Sequence, residues 1–335
     1  MVRAHSLFVP CKKKAPSLLL LHGDCASTLS FIELIQGLNE EYDLYLIDLP
    51  GFGRSHLMEG DSLDATTNST CAISFNVNFV AAFVRHYNLE KITLLGHSWG
   101  AFLAIHYGSR FPVDRLILLS PAFLFPALSR YGLYVSFLFK NSIFQFGRFF
   151  GGICHFVVYS CIPSGFLADI RSPRSKFYWY AVTSHVKGFG DRCVAALIDF
   201  TWTESWCNDP ALAVLAKLNT PIALIYGELD PVIPASQGRV LQGLLDVPIV
   251  ILKGGDHSNM HGRLALELTE AVLSCKPRKP KQGNIVAEWI RLKSLPWQEM
   301  FKSKFSTAAT ERVVLDMYRQ LGALNHSQYE VVDTI

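Results

Sequence analysis

Apolar runs alternate with segments of helical periodicity over most of this chain. Ser17 to Leu21 and Asp43 to Leu49 are nearly continuous apolar runs of the kind found in strands buried on both faces. Between them, Leu29 to Leu38 carries apolar residues at helical spacing, with Ser27 or Thr28 as a candidate cap. The pattern therefore predicts the order strand, helix, strand.

The same alternation continues after residue 50. It predicts helices at Ile73 to Tyr87, Ser98 to Phe111, Ala235 to Leu245 and His261 to Leu273, and strands at Lys91 to Leu95, Arg115 to Leu119, Pro221 to Tyr226 and Pro248 to Leu252. Repeated strand–helix units are typical of a parallel sheet with helices on both faces. We expect an α/β fold with a doubly wound, mostly parallel sheet.

The rhythm is broken twice, and the breaks suggest the domain boundaries. Residues 1–120 and 217–275 form the predicted α/β core. Residues 121–216 are rich in aromatic residues and glycine, without a clear period of two, and lie between two strands of one sheet. They are interpreted as an inserted helical cap or lid. Residues 276–335 begin with the basic linker "KPRKPKQG" and are predicted to continue as an amphipathic helical extension.

Composition excludes some classes of function. The chain has 335 residues, of which 50% are hydrophobic and 18% charged, and its formal net charge is +3. That charge is too small to indicate nucleic-acid binding, and no arginine-rich stripe with interleaved aromatic residues is present. The eight cysteines lie far apart, without a C-x-x-C pair. Reduced thiols in a cytoplasmic protein are the simpler interpretation.

The predicted cap raises the question of membrane contact. From Leu116 to Ala168 the charged residues are only Arg130, Lys140 and Arg148. Residues 149–168 carry no charge and reach the length of a membrane-spanning helix, but glycine, proline, serine and histidine interrupt them. Cap helices folded over an apolar pocket are the favoured interpretation. A transmembrane helix, and a cap that dips into a membrane surface, remain the alternatives.

Gly96-His97-Ser98-Trp99-Gly100 matches the pattern G-x-S-x-G. An apolar strand leads directly into it and a helix begins at it, which is the context of a nucleophile elbow. In such a turn the serine hydroxyl is exposed on a strained backbone, while the two glycines leave room for the sharp bend. Ser98 is therefore the candidate nucleophile.

A serine hydroxyl needs a base to accept its proton and an acid to orient that base. Two later loops follow predicted strands, where the reactive crevice of such a sheet lies. "YGELDPVIP" supplies Asp230, with Glu228 as a second candidate acid, and "KGGDHSNMH" supplies His257, with His261 as a second candidate base. Asp230 also has a structural alternative, as a cap of the helix predicted to follow it.

With these residues in place, the chain resembles the α/β-hydrolases. The matching motifs, in family order, are "HGDC", "DLPGFGRS", "GHSWG", "YGELDP" and "GGDHS". The resemblance covers residues 17 to 275 apart from the insertion. It implies a Ser98–His257–Asp230 triad and an oxyanion hole made by the backbone N–H groups of Trp99 and Asp24, with Cys25 as the less favoured second donor. It implies no cofactor and no metal.

The resemblance also implies a reaction class. Epoxide hydrolases and haloalkane dehalogenases of this superfamily use aspartate where this chain has Ser98, so we expect acyl chemistry instead. We expect a serine esterase or lipase acting on a hydrophobic or lipid acyl ester. Acyltransferase-like relatives have aspartate five residues after the catalytic histidine, where this chain has Gly262. Acyl transfer, a proline-iminopeptidase-like peptidase and a non-catalytic ligand-binding protein remain alternatives.

The expected partner is thus a small hydrophobic ester. Nucleic acid is excluded, peripheral membrane contact through the cap is left open, and the sequence does not indicate an oligomeric state.

Overall fold

The described part of the protein is built around one mostly parallel β-sheet. A computed structural model of the chain describes residues 2–23, 26–50, 52–57, 73–121, 217–230, 235–257, 264–281 and 329–332, together with positions 214, 233 and 262. The strands in these residues are β1 Val2–Arg3, β2 Ser6–Val9, β3 Ser17–Leu21, β4 Asp43–Ile47, β5 His56–Leu57, β6 Thr93–His97, β7 Arg115–Leu119, β8 Ile222–Gly227, β9 Ile249–Leu252 and β10 Tyr329–Val332.

Eight of these strands form the sheet, in the order β10-β9-β8-β7-β6-β3-β4-β2. β2 runs antiparallel to β4, and all the other neighbours in this sheet are parallel. β1 and β5 pair separately as a short antiparallel ribbon. The mostly parallel sheet expected from the alternation is confirmed.

Helical segments cover both faces of the sheet. They are a 3₁₀ helix at Thr28–Leu34, α1 Ile35–Leu38, α2 Ile73–His86, α3 Trp99–Gly108, α4 Ala235–Leu245 and α5 Ala265–Ser274. One buried cluster joins α2, α3 and α4 to one face, and a second joins the 3₁₀ helix, α1 and α5 to the other.

Strand β3 shows why the core has two layers. Successive side chains of a strand point to opposite faces, so Leu19 and Leu21 enter the first cluster while Leu18 and Leu20 enter the second. All four are at most 1% exposed. Burying each leucine stabilises the fold by roughly 1.5–3 kcal/mol. Apolar and polar residues do not alternate in the sequence of β3 because both faces of this strand are buried.

The predicted elements of the core are found with small shifts at their ends. The strand expected from Lys91 begins at Thr93, because Lys91 has a φ of 51° and so lies in the left-handed region, outside extended geometry. The last core helix begins at Ala265, later than the expected His261. The first predicted α-helix is mainly a 3₁₀ helix, in which Phe31 and Leu34 are buried at a spacing of three that both helix types allow.

Four strands of the described residues were not predicted: β1 and β2, which precede the first predicted strand, and β5 and β10. β5 is a two-residue strand in the loop after β4, and β10 lies in the region 276–335, where it pairs in parallel with β9. The amphipathic helices expected elsewhere in that region, and nearly all of the cap expected at 121–216, lie outside the described residues and stay predictions. Within the described ranges, no helix combines the length and the apolar character needed to cross a membrane. Residues 149–168 are not among them.

One buried histidine in this core has a consequence for acid stability. His106 of α3 is 5% exposed and its ring lies 4.6 Å from that of Phe102, centroid to centroid. Among the described residues, neither of its ring nitrogens has a hydrogen-bond partner. Burial, helped by the nearby Arg110, lowers the pKa of His106 from 6.5 to about 4. The unfolded chain therefore binds a proton at a higher pH than the folded chain does.

We expect His106→Phe to make the protein less sensitive to acid. A histidine pKa that is lower in the folded state contributes stability above pH 6.5, and this is lost as the pH falls towards 4. The wild type should lose about 2 kcal/mol more than the variant between pH 7.5 and pH 5. Urea unfolding at both pH values measures this. His86→Gln, at an exposed position of α2, is the control, and equal pH slopes for all three proteins would contradict the prediction.

Candidate active site

Ser98 occupies a strained turn between β6 and α3. Its backbone has φ 51° and ψ −114°, a conformation that an L-residue adopts only when its surroundings enforce it. The Ser98 N–H donates to the Leu119 carbonyl at 2.9 Å, and the Ser98 carbonyl accepts from the Ala101 and Phe102 N–H groups, both at 3.1 Å. The turn is thus tied to β7 on one side and to the first turn of α3 on the other.

The two glycines of the motif permit close backbone approach. A Cβ on Gly96 would lie 2.5 Å from backbone atoms of Ala101, and a Cβ on Gly100 would lie 2.1 Å from the Leu21 carbonyl oxygen. Neither distance is sterically possible without moving the main chain. The G-x-S-x-G pattern therefore reflects the packing of β6, α3 and β3 around Ser98.

Asp230 and His257 meet at the carboxyl ends of β8 and β9. Oδ2 of Asp230 lies 2.8 Å from Nδ1 of His257, and both residues are buried, with 4% and 8% exposure. An ionised carboxylate only accepts, so Nδ1 of His257 donates and Nε2 is left as the basic nitrogen of the ring. This is the tautomer that a general base of the serine type requires.

Asp230 also stabilises the turn that leads to α4. Its second oxygen, Oδ1, accepts the Ile233 N–H at 2.8 Å. Ile233 lies two residues before α4 begins at Ala235, so this bond closes a turn and is not the helix cap considered for Asp230. The turn contact and the contact with His257 are compatible, because each uses a different carboxylate oxygen. This second bond also limits rotation of the carboxylate.

Glu228 and Trp99, two further residues suggested by the sequence, lie near the same strand ends. Oε2 of Glu228 accepts the Gly254 N–H at 2.9 Å. The carboxylate that is hydrogen-bonded to His257 is that of Asp230. Trp99 is the first residue of α3, which places its N–H at the helix end that favours negative charge. Asp24, Cys25 and His261 lie outside the described residues, and their suggested roles stay predictions.

Ser98 and His257 are brought to the same region by neighbouring contacts. The ring of His97, the residue before Ser98, lies 4.8 Å from the ring of His257 between centroids. Ser98 itself is 8% exposed. A Cβ on Gly23, in the loop after β3, would lie 3.2 Å from Cβ of Ser98. The loops after β3, β6, β8 and β9 therefore form one cluster at one edge of the sheet.

His22 supports the loop after β3 through both of its ring nitrogens. Its Nδ1 donates to the Gly23 carbonyl at 2.7 Å, and its Nε2 accepts the Leu49 N–H at 2.9 Å. Complete burial lowers the pKa of His22, which keeps the ring neutral and suited to this pair of bonds. These two contacts make His22 a structural support of the loop after β3.

Asp48 is a supporting residue to which sequence reasoning gave no role. It is 1% exposed, and its carboxylate accepts the Thr28 N–H at 2.7 Å, the Arg54 N–H at 2.9 Å and Nδ1 of His5 at 2.8 Å. It thereby joins the loops after β3 and β4 to the amino-terminal segment. A charged residue directly after an apolar strand was the available signal. No group of metal-ligating side chains occurs within the described ranges.

Comparison with known proteins gives consistent matches. Residues 16–151 match the family described as alpha/beta hydrolase fold. The chain is 32% identical over 114 residues to the abhydrolase domain-containing protein abhd-5.2 of Caenorhabditis elegans, covering 33% of this chain and 24% of that protein. It is 27% identical over 236 residues to the magnesium-chelatase 30 kDa subunit of Rhodobacter capsulatus, covering 66% and 72%.

A third curated relative is the pimeloyl-[acyl-carrier protein] methyl ester esterase of Xylella fastidiosa. It is 30% identical over 115 residues, covering 34% of this chain and 40% of the esterase. The match thus spans about a quarter of the length of the nematode relative and two fifths of the Xylella esterase.

Solved structures show the same fold. A bacterial membrane phospholipase A superimposes with a TM-score of 0.54 at 24% identity, covering 81% of this chain and 82% of that one. A laboratory-evolved variant of potato epoxide hydrolase superimposes with a TM-score of 0.60 at 20% identity, covering 81% and 95%. At these identities the likeness concerns the fold alone.

The Asp48 contacts generate a prediction about stability. The Asp48 carboxylate accepts three hydrogen bonds through its two oxygens. In Asp48→Asn one of these oxygens becomes an NH₂ donor, so the N–H groups that it accepted lose their partner. We expect a loss of about 2–3 kcal/mol in the free energy of unfolding. Urea unfolding measures it, with Asp114→Asn on the exposed loop before β7 as the matched control. Equal stabilities of the two variants would show that the Asp48 contacts contribute little.

Proposed function

We propose that this chain, which belongs to the α/β-hydrolase superfamily, is a serine hydrolase that cleaves a carboxylic ester through an acyl-serine intermediate. The observation that carries the proposal is the hydrogen-bonded Asp230–His257 pair at the same sheet edge as the strained turn of Ser98. A serine, a histidine with its Nδ1 held by a carboxylate, and a nearby helix N-terminus are the parts that acyl transfer needs.

In the proposed mechanism His257 acts first as a base and then as an acid. Nε2 accepts the proton of Ser98 Oγ as this oxygen attacks the carbonyl carbon of the ester. The Asp230 carboxylate stabilises the imidazolium that forms. His257 then gives the proton to the departing alcohol oxygen, which leaves Ser98 acylated. Water, activated by the same Nε2, attacks the acyl carbon and releases the carboxylic acid and free Ser98.

The developing oxyanion is stabilised by two backbone N–H groups. Trp99 supplies one from the start of α3, and Asp24 supplies the second in the loop after β3. Only the backbone N–H of Asp24 has a role in this proposal, because a carboxylate facing the oxyanion would oppose the charge that the site must stabilise. His22 and Asp48 hold the two flanks of this loop.

A hydrophobic or lipid acyl ester is the proposed substrate. The support is the sequence of the predicted cap, where only three charged residues occur between Leu116 and Ala168 among many aromatic and aliphatic ones. An apolar pocket gains binding energy with each methylene that it buries. The proposed location is the cytoplasm, and a lipid substrate would be reached by peripheral membrane contact through the cap.

We expect a fluorophosphonate probe to label the wild type at Ser98 and Ser98→Ala not at all. The substitution should also lower ester turnover by a factor on the order of 10⁴ or more. Intact-protein mass spectrometry and peptide mapping measure the labelling.

Ser120→Ala is the matched control for this experiment. Ser120 is a buried serine that follows the neighbouring strand β7, also has a positive φ, at 39°, and has no hydrogen-bond partner for its hydroxyl within the described ranges. Its variant should be labelled like the wild type. A folded wild type that takes no label would instead favour a ligand-binding protein with a silent triad.

Acyl-chain profiling tests the substrate class. With p-nitrophenyl esters, kcat/KM should rise from acetyl to octanoyl by roughly tenfold or more, since each buried methylene adds binding energy in the transition state. Rates of the Ser98→Ala protein are subtracted to remove uncatalysed hydrolysis. A preference for acetyl would contradict the apolar pocket while leaving the serine mechanism intact.

A further inference from the structure

His97 has a contact that the proposed mechanism does not yet use. It is the last residue of β6 and immediately precedes Ser98, and it is 6% exposed. Its imidazole lies against the imidazole of His257, with centroids 4.8 Å apart and the ring planes inclined at 45°. A buried ring in this position covers part of one side of the proposed base.

The same ring contacts the loop after β3. A Cβ on Gly23 would lie 3.0 Å from Nδ1 and 3.4 Å from Cε1 of His97. The glycine therefore lets the main chain of this loop pass directly against the imidazole. His97 thus packs both on the loop expected to supply an oxyanion donor and on the residue expected to move the proton.

The hydrogen bond from Asp230 does not by itself fix the plane of the His257 ring. A single hydrogen bond at Nδ1 fixes that end of the ring, but the ring can still tilt about it, and a tilt displaces Nε2. A packed neighbour against the ring restricts this motion. A displacement of about 1 Å in a reacting group can lower a rate about 10²-fold.

We propose that His97 is a positioning residue, whose ring keeps Nε2 of His257 aimed at the hydroxyl of Ser98. This inference rests on the proposed function. Because His97 and Ser98 are consecutive residues of the same rigid turn, the surface that orients the base is attached to the backbone that carries the nucleophile. If β6 moves, His97 and Ser98 move together. The ring that orients His257 then keeps its position relative to the hydroxyl of Ser98.

The test compares three substitutions at residue 97 by the rate of fluorophosphonate labelling and by kcat and KM for an ester. His97→Ala removes the ring, and its labelling rate and kcat should fall about 10- to 100-fold with little change in KM. His97→Phe keeps a planar ring and should stay within about threefold of the wild type. His97→Leu fills the volume without a planar face and should resemble the alanine variant, which keeps the test usable if His97→Ala does not fold.

A double-mutant cycle separates positioning from general stability. If His97 acts through His257, then His97→Ala should have no further effect on the residual labelling rate in a His257→Ala background. If His97 only supported the fold, His97→Ala would lower the labelling rate by the same factor in the wild-type and in the His257→Ala background. His106 is another buried histidine, in the adjoining helix α3. Its variant His106→Phe is the control and should leave the labelling rate unchanged.

The outcomes are distinguishable. A wild type that takes no label overturns the proposed function. If the wild type is labelled, and His97→Ala and His97→Leu are both labelled as fast as the wild type, the positioning role alone is overturned. A His97→Phe protein as slow as His97→Ala also overturns it, because ring packing would then not be the source of the effect.

Discussion

The parallel register of the central strands is the constraint on which the rest of the structure depends. Leu21 pairs with Gly96 and His97 pairs with Leu119, so β3, β6 and β7 end at nearly the same level. Since parallel strands run in one direction, the loops after β3, β6, β8 and β9 leave the sheet along one edge. A slip of one residue in β6 would reverse the face of each of its side chains and shift Ser98 by about 3.3 Å along the strand, out of register with the neighbouring loops.

The turn at Ser98 is strained, and the surrounding core keeps it in place. The Ser98 N–H is held by β7, and the Leu21 carbonyl oxygen lies where a side chain at Gly100 would have to be. Strain of this kind costs of order 1–3 kcal/mol and persists only when neighbouring structure prevents relaxation. Strand β6 is buried along its whole length, which supplies that rigidity.

Three buried polar side chains at the same edge, those of Asp230, Asp48 and His22, are satisfied by loops rather than by regular secondary structure. Asp230 uses one oxygen for His257 and the other for the Ile233 N–H, while Asp48 and His22 bond to main-chain groups of the loops around them. In a low-dielectric interior, each such bond fixes an orientation, because breaking it leaves an unpaired polar group. Candidate chemistry and loop structure are therefore maintained by the same contacts.

The sequence by itself determined the strand and helix order of the core and the residues at its strand ends. Fully buried strands leave an unambiguous apolar run, and a turn such as that at Ser98 demands glycine at Gly96 and Gly100 for steric reasons alone. The local pattern did not distinguish an α-helix from a 3₁₀ helix, because both bury residues at a spacing of three. The segment Thr28–Leu34, which is a 3₁₀ helix, is the example.

Only the tertiary structure decided which distant groups meet. Spacing along the chain left Asp230 and Glu228 both open as the acid, and only the family resemblance implied Asp230. The Asp230–His257 bond, the contacts of Asp48 with three separate segments and the contact of the His97 ring with His257 all depend on loop paths between strands. Such contacts join residues far apart in the chain, and no periodicity records them. Their geometry is set by how the strands pack side by side, which is a property of the whole sheet.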